Sequence, residues 1–237
     1  MTMPATKFLN DTPHIEGWLY PQAVVLTEML LRAQSFLNVQ GGCLEIGVYK
    51  GKYLAYLATS GRPCIGIDVF VFGQEAEAQR NIEQVVQSAD SASTISLVQA
   101  NTRALDHESF EKIIKPLQGL AFASIDGDHS AEGVAHDIGL VERALVPGGI
   151  IALDDVFSGM SPAVSEGFFN YMRGSTNLRA VAFADNKLFL TTVGYEALYQ
   201  MRLAVDFAAD PGTMGARWRE YPPAITQPFL GGVVYCF

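Results

Sequence analysis

From Cys43 onward, short runs of apolar and β-branched residues alternate with longer amphipathic runs. This alternation is typical of βαβ units on a parallel sheet. Strands are predicted at 43–48, 63–70, 94–100, 120–126 and 148–156, and helices near 52–60, 74–89, 107–114 and 131–145. Five strands joined by four crossovers predict a doubly wound α/β sheet.

The chain beyond these five strands predicts a different ending for the sheet. A helix is predicted near 163–173, followed by strand-like runs at 178–184 and 187–192 that meet at Asp185-Asn186. Asp and Asn tolerate positive φ, so these two runs are predicted to form a tight antiparallel hairpin. The complete prediction is a mostly parallel, seven-stranded sheet that ends on an antiparallel hairpin.

The segments on either side of the sheet are predicted to belong to the same compact domain. We expect an N-terminal helical extension or lid at 1–40, a core at 41–195, and a C-terminal helix and arm at 196–237. Apolar spacing from Tyr20 to Phe36, with Pro21 at a first helical position, predicts a helix that packs on the sheet or covers a cleft. The run 221–237 fits an arm over the sheet, part of a ligand pocket or a subunit contact, so a homo-oligomer stays open.

Composition and charge narrow the class of partner. The 237 residues carry a net charge of −9, which repels phosphate backbones, so we expect no nucleic-acid partner. No stretch reaches the roughly 18 apolar residues of a membrane helix, and the first residues lack a signal-peptide core. The three cysteines are widely spaced and form no CxxC pair, which favours a reducing compartment. A cytoplasmic protein without a membrane partner is predicted.

The run EIGVYKG at 45–51 joins the first strand to its helix. Gly47 and Gly51 allow the backbone to bend tightly and to approach a ligand at the start of the helix. The run is neither the G-x-G-x-x-G of dinucleotide enzymes nor the G-x-x-x-x-G-K-[ST] of phosphate loops. Neither kind of nucleotide site is indicated.

Three polar positions near this loop are candidates for binding a small molecule. Asp68 ends the second strand, where a carboxylate accepts hydrogen bonds from the two ribose hydroxyls of an adenosine or forms a turn. Glu45, within a buried strand, needs either a ligand ammonium or a buried salt bridge. Asn101 and Thr102 follow the third strand and either contact an adenine or cap a helix.

Carboxylates also follow the fourth and fifth predicted strands. The first group lies in IDGDHS (125–130) and the second in VPGGIIALDD (146–155). If these strands are neighbours, Asp126, Asp154 and Asp155 meet at one edge, and three carboxylates in one place repel each other unless a cation neutralises them. Oxygen ligands favour Mg²⁺, with Ca²⁺ and Mn²⁺ as alternatives.

Three ordered segments, LEIGVYKGKYLAYLA, IDGDHSAEGVAHDI and LVPGGIIALDD, resemble a known family. The chain is similar over about 41–192 to the class I S-adenosylmethionine-dependent methyltransferases, in particular the cephalosporin-hydroxylase-like proteins and the macrolide-sugar O-methyltransferases. The resemblance implies that Glu45, Gly47, Gly51 and Asp68 surround S-adenosylmethionine. It also implies that Asp126, Asp154 and Asp155 bind magnesium.

Two positions depart from the pattern of that family. Tyr53 stands where a serine or threonine is usual, which weakens a hydroxyl contact to the cofactor, and Ala131 stands where an aromatic residue is frequent, which widens the acceptor pocket. The predicted activity is transfer of a methyl group to a hydroxyl of a small molecule, such as a sugar, polyketide or other secondary metabolite.

The predicted base is His129, because an imidazole titrates near neutral pH; Asp126 and Asp128 are alternatives, and His129 also fits a cap of the next helix. Two other classes of function stay open. The first is a catalytically silent binding protein of the same fold, which the intact aspartate set disfavours. The second is a nucleotide-dependent oxidoreductase, which the missing glycine pattern disfavours.

Overall fold

The computed structural model describes residues 2–174, 176–209 and 225–236. The helices and strands in these ranges are, in chain order, α1 (Ala5–Asp11), α2 (Pro21–Phe36), β1 (Gly42–Ile46), α3 (Lys52–Ala58), β2 (Cys64–Asp68), α4 (Glu75–Ser88), β3 (Ile95–Gln99), α5 (His107–Ile114), β4 (Leu120–Ile125), α6 (Ala131–Ala144), β5 (Leu145–Leu153), α7 (Pro162–Met172), β6 (Leu178–Ala184), β7 (Lys187–Thr192), α8 (Glu196–Ala209), β8 (Ile225–Phe229) and β9 (Gly232–Cys236). Short 3₁₀ turns lie at Thr102–Ala104 and Lys115–Leu117.

The strands form one sheet in the order β3-β2-β1-β4-β5-β7-β6-β9-β8. Strands β1 to β5 pair in parallel, and β7 is antiparallel to both β5 and β6. The predicted fold class is therefore confirmed, including the hairpin at Asp185-Asn186. The chain order reverses direction between β1 and β4, which is where ligands bind in open α/β sheets.

The sheet has two strands more than the seven predicted. β9 pairs in parallel with β6, and β8 pairs antiparallel with β9 through a turn at Leu230 and Gly231, both at positive φ. The described part of the predicted C-terminal arm therefore extends the edge of the sheet. Residues 221–224 and 237 of that arm lie outside the described residues.

Apolar side chains pack on both faces of the sheet. Helices α1, α2, α3, α4 and α8 share one core with Cys43, Phe122 and Ala152, whereas α5, α6 and α7 share the other with Leu44, Ala123 and Leu153. Successive strand residues point to opposite faces, so neighbours in sequence enter different cores. No helix in the described ranges is long and apolar enough to cross a membrane.

Helix α2 is the predicted helix of the N-terminal segment, and Pro21 occupies its first turn. Ten of its residues are buried, and it contacts α1, α8 and β6. It therefore packs within the core. The residues that precede it, Glu16 to Leu19, line a cavity instead.

Backbone hydrogen bonds align the carboxyl ends of four neighbouring strands. The amide of Gly47 donates to Ile67 O (2.9 Å), that of Asp126 to Ile46 O (2.8 Å) and that of Asp154 to Ile125 O (3.0 Å). Gly47 has φ +85°, and a Cβ at this position would lie 1.9 Å from the Asp126 carbonyl oxygen. Only glycine allows β1 and β4 to lie this close where β1 ends.

Gly47→Ala is expected to lower the free energy of unfolding more than Gly61→Ala. Gly61 has φ +80° but nothing within 4 Å of its Cβ direction, so its replacement adds only the left-handed strain, about 1–2 kcal/mol. The steric overlap at Gly47 should add at least about 2 kcal/mol to that strain. Urea unfolding of both variants measures the difference, and equal losses would show that the close approach to Asp126 does not constrain the fold.

Candidate functional site

A cavity of about 1070 Å³ opens at the carboxyl ends of β1, β2 and β4. The loop after β1 lines one wall, and Glu16 to Leu19 contribute to the lining from outside the sheet. Ligand pockets in proteins usually measure about 300–1,000 Å³, so this cavity has room for a ligand at the upper end of that range. Every predicted site residue except Gly51, Asp154 and Asp155 lines it.

Asp68 holds the loop after β1 in place. Its Oδ2 accepts hydrogen bonds from the amides of Val48 (2.7 Å) and Tyr49 (2.8 Å), and its Oδ1 accepts one from the amide of Phe70 (2.7 Å). These contacts explain how Tyr49 is kept at φ +50°. A carboxylate oxygen accepts more than one hydrogen bond, so the predicted contact with ribose hydroxyls is compatible with this structural role.

Gly51 ends the same loop and precedes α3 at φ +81°. A Cβ at this position would lie 2.9 Å from Ile82 and 3.0 Å from the carbonyl of Ala78, both in α4. Gly51 therefore allows α3 to start against α4, and its role toward a ligand is indirect.

Glu45 lies in β1 and is only 4% exposed. Its Oε2 is buried and has no hydrogen-bond partner among the described residues. Burial raises the pKa of Glu45 well above its usual range, although Lys187 acts in the opposite direction. Glu45 also lines the cavity, so its Oε2 is a buried acceptor atom that is left for a ligand to satisfy.

Asn101 and Thr102 line the cavity beyond β3. The Asn101 side chain accepts a hydrogen bond from the amide of Arg103 (3.1 Å) and caps the 3₁₀ turn. Asn101 therefore both caps this turn and lies at the cavity wall. Its predicted contact with an adenine stays a prediction.

Asp126, His129 and Asp155 each place one metal-ligand atom within 4.8 Å of those of the other two. His129 Nε2 lies 3.1 Å from Asp126 Oδ1, and His129 Nδ1 lies 3.1 Å from Ser161 Oγ and 3.6 Å from Asp155 Oδ2. The Ser161 hydroxyl donates to Asp155 Oδ2 (2.9 Å), and Asn186 Nδ2 donates to Asp155 Oδ1 (2.7 Å). Two carboxylates and an imidazole suit a divalent cation.

The surroundings of this group shift its protonation. The pKa of Asp126 is raised to about 6, mainly by burial. The Asp154 carboxylate also raises this pKa, and the hydrogen bond with His129 lowers it. The hydrogen bond with Asp126 raises the pKa of His129 above its ordinary value. Asp128, the other alternative base, is paired with Arg103 at 3.1 Å and accepts from the amide of Ser130, which lowers its pKa.

The Asp154 carboxylate lies at the same edge, but both of its oxygens already have partners within the protein. Its Oδ2 lies 2.8 Å from Lys187 Nζ, and its Oδ1 accepts from the amide of Asp155 (3.0 Å). The compact group of ligand atoms therefore contains His129 in the place that was predicted for Asp154. A role of Asp154 as a metal ligand stays a prediction.

Lys187 is a site residue that was not predicted from the sequence. Its side chain is 3% exposed, and its ammonium lies 4.7 Å from the centre of the Tyr53 ring. Leu188, the next residue, pairs with Leu153 because β7 runs antiparallel to β5, which brings Lys187 beside Asp154. The signal was a lysine directly before the apolar run Leu-Phe-Leu of a strand.

The segment 16–19 is the second feature that was missed. Glu16 accepts hydrogen bonds from Tyr49 Oη (2.7 Å) and Lys50 Nζ (2.7 Å), and the Trp18 ring lies 5.9 Å from that of Tyr49. These contacts attach the residues before α2 to the loop after β1. No periodic pattern marks them in the sequence.

The strand order with an antiparallel β7, the glycine loop after β1 and the cavity above it define a class I methyltransferase fold. Residues 44–156 match the family model described as a methyltransferase domain. This match covers a little under half of the chain and supports an S-adenosylmethionine-dependent methyltransferase. No curated protein sequence matches it.

Solved structures with a similar fold include small-molecule methyltransferases. CalS11, a TDP-rhamnose 3′-O-methyltransferase of calicheamicin biosynthesis, is 18% identical, covers 82% of this chain and 88% of its own, and has a TM-score of 0.54. MycE of the mycinamycin pathway, in complex with Mg, SAH and mycinamycin VI, is 17% identical over 81% of this chain and 54% of its own (TM-score 0.54). An O-methyltransferase from Bacillus cereus in complex with SAH is 13% identical over 80% and 90% (TM-score 0.51). At these identities the likeness shows the fold.

Lys187→Met is expected to lower the free energy of unfolding by about 3–5 kcal/mol, because it leaves the Asp154 carboxylate buried without a cation. Adding Asp154→Leu should recover much of the loss, since replacing both partners removes the buried charge. Lys112→Met, which breaks the exposed pair with Glu108, should change stability by less than about 1 kcal/mol. Urea unfolding at neutral pH measures all three, and equal losses for Lys187→Met and Lys112→Met would contradict the expectation.

Proposed function

We propose that this enzyme transfers the methyl group of S-adenosylmethionine to a hydroxyl oxygen of a small molecule, with a divalent cation, Mg²⁺ first, at Asp126 and Asp155. The observation that carries this proposal is the group of Asp126, His129 and Asp155, whose ligand atoms lie within 4.8 Å of one another at the carboxyl edge of the sheet. Asp126 and His129 also line the cavity formed by the loop after β1. The Mg and SAH bound by MycE agree with this proposal.

The donor set fits such a cation. Asp126 and Asp155 supply carboxylate oxygens, and Ser161 and Asn186 orient the carboxylate of Asp155. Oxygen donors of this kind are preferred by Mg²⁺ and Mn²⁺. When bound, a divalent cation holds a hydroxyl oxygen and lowers its pKa.

The cavity also fits the cofactor that this class uses. S-adenosylmethionine supplies a methyl group on a sulfonium, with an adenosine at one end and an amino acid at the other. Glu45 offers a buried, unpartnered oxygen for the ammonium, Asp68 offers its carboxylate to the ribose, and Asn101 lies where an adenine is expected. Gly47 lines the cavity and brings the backbone close to the ligand, and Gly51 supports the loop indirectly by letting α3 start against α4.

His129 is the proposed base. Its imidazole lies between Asp126 and Asp155, so these two carboxylates fix its orientation toward the same edge. As the acceptor oxygen forms its bond to the methyl carbon and the bond from carbon to sulfur breaks, the imidazole takes the hydroxyl proton. The two neighbouring carboxylates stabilise the imidazolium that results.

The metal and base roles make separable predictions. Asp155→Asn should weaken Mn²⁺ binding about tenfold or more, whereas Asp128→Asn, at a carboxylate paired with Arg103, should leave it nearly unchanged. His129→Asn should lower turnover by about 100-fold or more, while weakening Mn²⁺ binding less than Asp155→Asn does. Titration calorimetry gives the affinities, and a screen of hydroxylated small molecules with labelled cofactor gives turnover. Full turnover of the wild type in excess chelator would remove the metal from the proposal.

The raised pKa of Glu45 predicts that cofactor affinity depends on pH. Burial favours the neutral acid in the empty cavity, whereas a ligand ammonium favours the carboxylate, so binding releases a proton and strengthens as pH rises. Glu45→Gln should weaken binding at high pH and flatten the pH dependence. The measurement is the affinity for S-adenosylhomocysteine between about pH 5.5 and 8.5, a range above the ordinary pKa of Glu. An unchanged slope in Glu45→Gln would rule out this role.

A further inference from the structure

The charged residues that line the cavity are mostly acidic. Six carboxylate side chains line it, against the two lysines Lys50 and Lys52. Lys50 is already paired, at 2.7 Å with Glu16 and 3.3 Å with Glu77. Any ligand that carries a carboxylate into this cavity therefore finds one lysine engaged by the protein, which leaves Lys52.

Lys52 forms no ion pair or hydrogen bond through its side chain within the described ranges of the chain. It is the first residue of α3, directly after Gly51, and it is partly buried. Its stem lies against the segment before α2, since a Cβ at Gly17 would be 3.4 Å from Lys52 Cβ and 3.5 Å from its Cδ. An unpaired cation with a partly buried stem is thus held at the cavity between the loop and the 16–19 segment.

The neighbouring side chain does not compete for the same role. Tyr53 directs its hydroxyl to Thr27 Oγ1 (2.6 Å) inside the core. In the similar family this position usually carries a serine or threonine hydroxyl. Here the hydroxyl of Tyr53 points into the core instead. Among the side chains of this turn, the one that remains for an anion is the ammonium of Lys52.

The amino-acid end of S-adenosylmethionine carries both an ammonium and a carboxylate. Glu45 supplies a buried carboxylate oxygen, whose negative charge complements the ammonium. We infer that Lys52 binds the carboxylate of this amino-acid end and makes the cavity select cofactors that carry it. The inference rests on the proposed cofactor site and adds the residue that distinguishes the amino-acid end from a plain amine.

The test compares two ligands that differ only in this group, S-adenosylmethionine and decarboxylated S-adenosylmethionine. Lys52→Met should weaken binding of S-adenosylmethionine by about tenfold or more, as expected for loss of a charge-assisted hydrogen bond, and change binding of the decarboxylated form by less than about twofold. Lys52→Arg, which keeps the charge, should retain most of the discrimination. Titration calorimetry on the full chain measures the affinity of each variant for both ligands.

Lys50→Met is the matched control, because it removes the same charge from the same cavity while leaving Lys52 in place. Lys50→Met should change the affinities for S-adenosylmethionine and for its decarboxylated form by the same factor. The ratio of the two affinities should therefore stay unchanged. If Lys52→Met also weakens both ligands equally, the inference is overturned and the methyltransferase proposal stands. If the wild type binds neither ligand, both are overturned. Thermal unfolding without ligand shows whether Lys52→Met folds. If it does not, Lys52→Arg decides: loss of the preference for S-adenosylmethionine over its decarboxylated form in that variant overturns the inference, and retention of the preference supports it.

Discussion

Three backbone hydrogen bonds at the carboxyl edge of the sheet set the position of the whole site. They join Gly47 to β2, Asp126 to β1 and Asp154 to β4. Because each bond links the end of one strand to its neighbour, the residues just beyond the strands have a fixed separation. The loop after β1 can then lie beside the aspartates, since the missing side chain at Gly47 leaves room for the Asp126 carbonyl.

Charge is arranged around this edge in two layers. Inside the protein, Lys187 neutralises Asp154 and lies over the Tyr53 ring, so one carboxylate is satisfied without any ligand. Toward the cavity, Glu45 Oε2 has no hydrogen-bond partner among the described residues, and Asp126 and Asp155 share His129. The protein thus pairs Asp154 with a lysine, whereas the other three carboxylates form no ion pair with a lysine or arginine among the described residues.

Site residues whose position depends only on local pattern could be predicted from the sequence. Parallel strands must place the residues at their carboxyl ends along one edge, so Asp68 and Asp126 could be assigned to it from the βα alternation alone. Lys187 could not, because its position depends on how β7 pairs with β5, and a register is not visible in the apolar pattern of one strand. Glu16 and Trp18 were missed for a related reason. They lie in an irregular segment whose place is set by contacts with Tyr49 and Lys50 that are distant in sequence.

The C-terminal hairpin connects the sheet edge to the site. Phe229 in β8 lies 6.0 Å from Phe157, which lies two residues after Asp155 in the loop after β5. In any form of the chain that stops before Ile225, β6 would become the outer strand and present unpaired amides and carbonyls to solvent. The same shortening would take away an aromatic support of the loop that carries Asp155. Self-association and displacement of the loop that carries Asp155 would then arise together, so a shortened protein that aggregates would give a misleading picture of the residues the site needs.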